Sequence, residues 1–345
     1  MKNKILSFSL VLVLAVAFLF TACAPKPAVE VPKEEFHWIV TTATTGGTYY
    51  PVGMAMATLW TKELKAQGIT VAGMSSAGSA ENIIMLKGKE VELAILQGMF
   101  GKCAIKGIEL YEGKPYKELR TITNLWPNVE HFAINADKAK TGNVMDIKGL
   151  KFCIGSAGSG TEQSTSYIMK GCGISLDDIT NMPMGYMEAA DAMVDGRIDG
   201  GSFVAGPPVA AITKLFATPR FKSVLLEFTD EQLKAVNEKT PYPGGRYIIP
   251  AGTYAGQDKE VHTIFQPNFL GCRADIDAEV VYLLTKTLFT EEGYKYLSGA
   301  HAMCKFITLE SAIEALPAPL HPGAYKFYKE KGLTIPAELI PPEVK

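Results

Sequence analysis

The sequence predicts an α/β protein with a mainly parallel sheet. Short apolar runs such as Phe152-Cys153-Ile154 alternate with helical patterns such as Val52, Met56, Leu59, Trp60 and Leu64. Three turns of tiny and hydroxyl residues, near 45–50, 76–82 and 155–162, each stand between a strand and a helix. About 310 residues follow the N-terminal segment. Single cores stop growing near ~250–300 residues, so two cores are expected.

The stretch 151–162 carries the clearest chemistry. Gly155, Gly158 and Gly160 allow positive φ and leave room for a ligand. Ser159 or Thr161 suits the helix N-cap, and Glu162 suits the positive end of the helix dipole. Free backbone N–H groups at such a helix start favour an anion. Gly155 and Gly160 have phosphate-loop spacing, but Thr161 stands where that loop has lysine, so a carboxylate fits better than a nucleotide. An ordinary glycine-rich turn would have the same composition.

In chain order, a strand over 37–42 runs into Gly46-Gly47-Thr48, with Thr48 placed to cap and Pro51 at a first helical position. That helix ends at Gly68; its apolar stripe, with Tyr50 beside it, reads as core. A strand over 69–74 leads to Ala77-Gly-Ser-Ala-Glu-Asn82, which echoes Ala157-Gly-Ser-Gly-Thr-Glu162, and to a helix over 83–87. Strands follow over 90–97 and over 120–126, the second closed by Pro127. Residues 129–135 and 146–150 then lead to the 151–162 stretch. A helix is expected over 186–194, a glycine-spaced strand over 198–206, and a helix from Pro207-Pro208 to Leu215. A strand over 221–228 precedes the capping box Thr229-Asp-Glu-Gln232. Residues 248–254 read as a turn-rich connection and 263–273 as a crossing strand. Helices are expected over 277–290, 291–298 and 311–316, and residues 317–345, with six prolines, as a wrap-around tail.

The N-terminus reads as an export signal: Lys2 and Lys4 precede an apolar run of about 16 residues, short for a spanning helix. Thr21-Ala22-Cys23 resembles a bacterial lipoprotein cleavage box, with Phe20 in place of the usual leucine. Residues 1–22 would then be the signal peptide, Cys23 the lipidated first residue and 23–35 a tether. A plain secretory signal or an uncleaved anchor is the alternative. Net charge is −2 without long basic or acidic runs, so nothing recruits nucleic acid. Five further cysteines lie in apolar surroundings and read as buried hydrophobes, with a single disulfide such as Cys153–Cys172 left open. The five histidines are scattered, with no metal spacing and no cofactor motif.

Several segments together resemble the TAXI-family solute receptors of tripartite ATP-independent periplasmic (TRAP) transporters. They are Thr45-Gly-Gly-Thr-Tyr-Tyr-Pro-Val-Gly53, Gly78-Ser-Ala-Glu-Asn82 and Leu150-Lys-Phe-Cys-Ile-Gly-Ser-Ala-Gly-Ser-Gly-Thr-Glu162. Asp195-Gly-Arg-Ile-Asp-Gly200, Val204-Ala-Gly-Pro-Pro208, Ile249-Pro-Ala-Gly-Thr-Tyr-Ala-Gly-Gln-Asp258 and His321-Pro-Gly-Ala324 follow in order. The resemblance implies a type II periplasmic binding protein fold. Its two α/β lobes, 36–128 plus 269–345 and 129–268, would be joined by two crossing strands. It implies capture of a small carboxylate or amino acid, glutamate- or 2-oxoglutarate-like, and delivery to ion-gradient-driven TRAP membrane subunits. Three places depart from the family pattern near the presumed cleft: Gln97-Gly98, Trp126-Pro127-Asn128 where Tyr-Pro-Glu is more usual, and Gly200-Gly201.

On that reading Thr48, Ser159 and Thr161 supply hydroxyl donors, and backbone N–H groups around Gly47, Ser79 and Gly160 complete an anion site. Tyr49 covers the ligand or hydrogen-bonds it, Asn82 presents an amide, Phe203 and Ala205 floor the far lobe, and Gln97 and Tyr254 are further contacts. Arg120, Arg246 and Arg273 read as surface or inter-lobe ion pairs. Other classes are an exported sensor or an ATP-driven importer's receptor on the same fold. A hydrolase using Ser159 is disfavoured, because Gly158-Ser159-Gly160 lacks the Gly-x-Ser-x-Gly elbow.

Overall fold

The computed structural model describes residues 35–344. The signal segment and Cys23 lie outside them, and no helix among the described residues is long and apolar enough to cross a membrane.

Strand β1 (Phe36–Thr41) pairs in parallel with β2 (Ile69–Met74) and β3 (Leu93–Gln97). Helix α1 (Tyr49–Leu64) makes the first crossover, α2 (Ser79–Lys87) the second, and α3 (Gly98–Lys106) follows β3. Gly68, at φ +83°, turns the chain from α1 into β2. Two long strands then bind the molecule together, β4 (Leu119–Asn135) and β10 (Val261–Arg273). They run antiparallel to each other, and β10 also pairs with β3. Beyond them lie β5 (Lys151–Cys153), β6 (Thr180–Asn181), β7 (Gly200–Ala205), β8 (Ser223–Leu225) and β9 (Gly245–Ile249). The order is β2-β1-β3-β10-β4-β7-β5-β6, with β8 on β4 and β9 on β10. The outer strands of each lobe are thus parallel, and antiparallel pairing is confined to partners of the crossing strands. This is the type II binding-protein arrangement.

β4 is a single strand of 17 residues, so Pro127 does not close it. Pro127 stands opposite Pro267, and the register shifts between Pro267 and Phe269. A bulged position tolerates a missing donor where a regular ladder would not. At about 3.3 Å per residue such a strand is long enough to serve both lobes.

Helices α4 (Gly160–Gly171), α5 (Tyr186–Val194), α6 (Ala210–Ala217) and α7 (Asp230–Lys239) cover the second lobe. Pro207-Pro208 precedes α6 rather than opening it: the helix begins at Ala210, behind its Val209 cap position. The α7 capping box forms: Thr229 Oγ1 accepts from Gln232 N at 3.2 Å and Thr229 N donates to Gln232 Oε1 at 2.8 Å. Helices α8 (Ala278–Leu288), α9 (Glu291–Ala300) and α10 (Pro322–Glu330) return to the first lobe. Residues 311–316 form turns, not a helix, and α10 lies inside what the prolines suggested was irregular tail. Pro322 is tolerated because it sits in the first turn, behind the His321 cap. The tail does wrap: Thr121 N donates to Pro319 O at 2.8 Å and His321 N to Thr121 O at 2.9 Å.

Each lobe has its own core. In the first, Trp60, Trp126, Phe327 and Tyr328 are buried with the α1 stripe. Trp60 also satisfies its ring N–H on Leu284 O at 3.0 Å. In the second, Phe132 stacks on Phe152 and meets Phe228 edge-on, and Phe203 packs on Tyr186. Tyr50 is only half-buried; its neighbour Tyr49 takes the core position instead, packed edge-on to Trp126. Cys103, Cys153, Cys172, Cys272 and Cys304 are all free thiols. Arg120 pairs with Glu343, Arg246 with Asp230, and Arg273 with Glu92 and Asp275.

Candidate functional site

The starts of α1, α2, α3, α4 and α5 meet where the lobes face each other. They enclose a cavity with about 370 Å³ of unfilled space, mouth included. Only about 30 Å³ of it is open to a water-sized sphere, room for one or two waters, so a larger guest needs the lobes to part. From the first lobe come Gly47, Thr48, Tyr49, Gly78, Ser79, Gln97 and Asn128, and from the second Gly160, Thr161, Tyr186 and Val204.

The helix tips come into direct contact. A Cβ on Gly160 would lie 3.1 Å from Ser79 Cβ and 3.2 Å from Gln97 Oε1, so any side chain there pushes on the helix tips of the other lobe. Gly155 (φ +116°) makes the preceding turn, where a Cβ would meet Glu162 N at 2.9 Å. Ser159 then caps α4, its Oγ accepting from Glu162 N at 3.1 Å.

The hydroxyls that were expected to grip an anion are already engaged. Thr48 Oγ1 donates across the cleft to Gly206 O at 2.6 Å and makes no cap bond to α1. Tyr186 OH donates to Val204 O at 2.9 Å and accepts from Val204 N at 2.8 Å. Its contact with Thr161 Oγ1 at 2.7 Å therefore takes the threonine proton. Most of the donors left over are backbone ones: Ser79, Ala80, Gly160 and Thr161 N–H find no acceptor among the described residues. Among the described residues no Lys, Arg, His, Asp or Glu lines the cavity, so its positive potential comes from helix dipoles.

Two side chains in the wall are incompletely bonded. Gln97 Oε1 and both amide atoms of Asn128 have no partner, although these residues are only 3% and 0% exposed. Leaving such groups unmatched costs about 1–3 kcal/mol each, which a polar guest would relieve.

Of the residues named from sequence, Gly47, Thr48, Tyr49, Ser79, Gln97, Gly160 and Thr161 border the cavity. Tyr49 stands in its wall, and its OH donates to Asn268 Oδ1. Ser159, Asn82, Phe203, Ala205 and Tyr254 do not border it. Ser159 is used as the cap. Asn82 ties β1 to β3, accepting from Thr41 and Ser76 hydroxyls at 2.9 and 2.6 Å and donating to Thr42 O and Ile95 O at 2.8 and 2.9 Å. Phe203 and Ala205 lie behind Tyr186 in the second core. Tyr254 OH donates to His131 Nε2 at 2.9 Å and accepts from Val209 N at 3.1 Å. Asn82→Ala should therefore cost about 3 kcal/mol of stability in urea titrations without removing any cavity wall.

Asn128, Tyr186 and Val204 were missed. Asn128 was legible only as a departure beside Pro127, and Tyr186 looks like an ordinary first residue of an amphipathic helix.

Residues 40–332 match the model of the NMT1-like family. The chain belongs to that family. The match spans both lobes of this NMT1-like chain and every helix start around the cavity. Similar solved structures include the periplasmic aliphatic sulphonate binding protein SsuA from Escherichia coli, 12% identical over 89% of this chain and 96% of that one (TM-score 0.43). Another is the alkanesulfonate-binding protein SsuA from Xanthomonas axonopodis pv. citri bound to MOPS, 13% identical over 86% and 91% (TM-score 0.44).

Proposed function

We propose that the chain is an exported solute receptor that closes its lobes, 36–128 with 269–345 and 129–268, on a small carboxylate or amino acid. The observation that carries this reading is the cavity itself. Free helix-start N–H groups from both lobes and three unpartnered amide atoms face one small space that no charged side chain enters. A carboxylate satisfies the N–H groups; an ammonium or hydroxyl on the same solute satisfies Gln97 Oε1 and Asn128 Oδ1. Delivery is to TRAP membrane subunits, a reading supported by the seven ordered motifs, and attachment is through a lipid on Cys23. Closure is a hinge motion about β4 and β10.

Residues 24–345, unfolded and refolded to remove carried solute, should melt higher with the right acid or amino acid and not with others. Asn128→Ala and Gln97→Leu should each weaken that solute about 10- to 100-fold, equivalent to about 1–3 kcal/mol. Neither should lower the melting point of the empty protein, since each removes an unmatched polar atom. Absence of a response to every acid and amino acid tried would sink the proposal.

A further inference from the structure

A second cavity, with about 360 Å³ of unfilled space, mouth included, lies beside β4 and β10 and is lined by the second lobe except for Met99. Asn128 and Glu130 share one face of β4, and Gln266 stands opposite Asn128 on the same face of β10. Glu130 and Gln266 border this space, Glu130 1% and Gln266 8% exposed, yet Glu130 Oε2 and Gln266 Oε1 have no partner. Ser164, one turn along α4 from Gly160 and Thr161, stands in the same wall. The rest is mostly aromatic or apolar, including Tyr167, Tyr242 and Phe265, with Met99 reaching in from the first lobe. No Lys, Arg or His lines it.

Two buried acceptors set in an apolar and aromatic wall call for an occupant with N–H donors and a hydrocarbon body. A hard metal ion would need more oxygen ligands than this wall offers. We propose that the cavity binds a small organic ammonium group, with Glu130 Oε2 and Gln266 Oε1 accepting from its N–H bonds and the aromatic rings packing on its carbon chain. The ammonium is either the far end of the captured solute or a separate amine; the second source makes this a site independent of the anion reading above.

Burial pushes the empty Glu130 carboxyl up to about 8, against a smaller opposing effect of Gln266. The titratable neighbours Tyr167, Tyr242 and Tyr186 are neutral phenols at that pH. Binding at pH 7 therefore converts Glu130 from acid to carboxylate and passes about one proton to the buffer.

The test is titration calorimetry at pH 7, in two buffers of different ionisation enthalpy, with propylammonium and with 5-aminopentanoate. Wild type should bind at least one probe with proton release, and Glu130→Gln, isosteric and uncharged, should weaken it at least tenfold. Met99→Trp, which fills the space from the other lobe, should do the same without touching the carboxyl. A separate amine predicts that propylammonium binds wild type and Asn128→Ala alike. A far-end group predicts that only 5-aminopentanoate binds, and that Asn128→Ala and Glu130→Gln both weaken it. Failure of both probes to bind wild type, or equal binding by wild type and both cavity variants, overturns the inference. Failure of the anion reading alone leaves propylammonium binding in place.

Discussion

Gly160→Val should abolish ligand-induced stabilisation, raising the dissociation constant at least 100-fold, while the empty protein still folds. Even a bare Cβ at this position comes within 3.1 Å of Ser79 Cβ and 3.2 Å of Gln97 Oε1 on the opposite lobe. The two methyls of valine extend further, so the helix tips must part. Opening separates the N–H groups of α2 from those of α4, and a guest then meets only half the donors. A 100-fold loss corresponds to about 2.7 kcal/mol, the worth of one or two charge-assisted hydrogen bonds. Within the second lobe the substitution sits at the first position of α4, where a β-branched residue costs only a few tenths of a kcal/mol. Circular dichroism and urea titration should therefore look native. Undiminished thermal stabilisation by the wild-type solute would show that the tips do not close on it.

Stability of the empty protein should peak near pH 6.5, and Glu130→Gln should remove the fall above it. Burial holds His131 and His321 down at about 4, below their ordinary 6.5. Between those values the unfolded chain binds more protons than the folded one, so stability rises with pH through that window. Burial has the opposite consequence for Glu130, raised from 4.5 to about 8. There the folded state holds the extra proton, and stability falls as pH rises from 4.5 to 8. Two rising contributions exceed one falling one below 6.5; above 6.5 only the fall remains. Glu130→Gln should thus gain on wild type as pH rises from 5 to 8, by a few kcal/mol at most, from about 1.4 kcal/mol per unit. Urea midpoints at pH 5, 6.5 and 8 decide the matter; parallel curves for the two proteins would refute it.

The fold was readable because local patterns and turns agreed. β2 and α5 have the expected bounds, since turn formers flank both. Where the reading failed, tertiary context overrode a local rule. Pro127 does not end β4 because it lies opposite a second proline at a bulge. The helix α10 was hidden among prolines that mark its start and its surroundings alike. At the site, glycines and hydroxyls located the cavity but not the division of labour within it. A hydroxyl donating to a backbone carbonyl across the cleft, as Thr48 does, cannot be told from one waiting for a ligand by residue type. Asn128 and Tyr186 reach the cavity only through pairing and packing that no short motif encodes.

The absence of ionised side chains from the cavity wall has a consequence for how the proposed receptor can change. On the proposed function, its preference for negative guests resides in peptide groups, which no point substitution short of proline deletes. Replacing wall residues can enlarge the chamber, tighten it, or swap an acceptor for a methyl, and so exchange one small acid for another. On the same proposal, attraction to a negative guest persists through all of these exchanges, as long as the helices keep pointing inward.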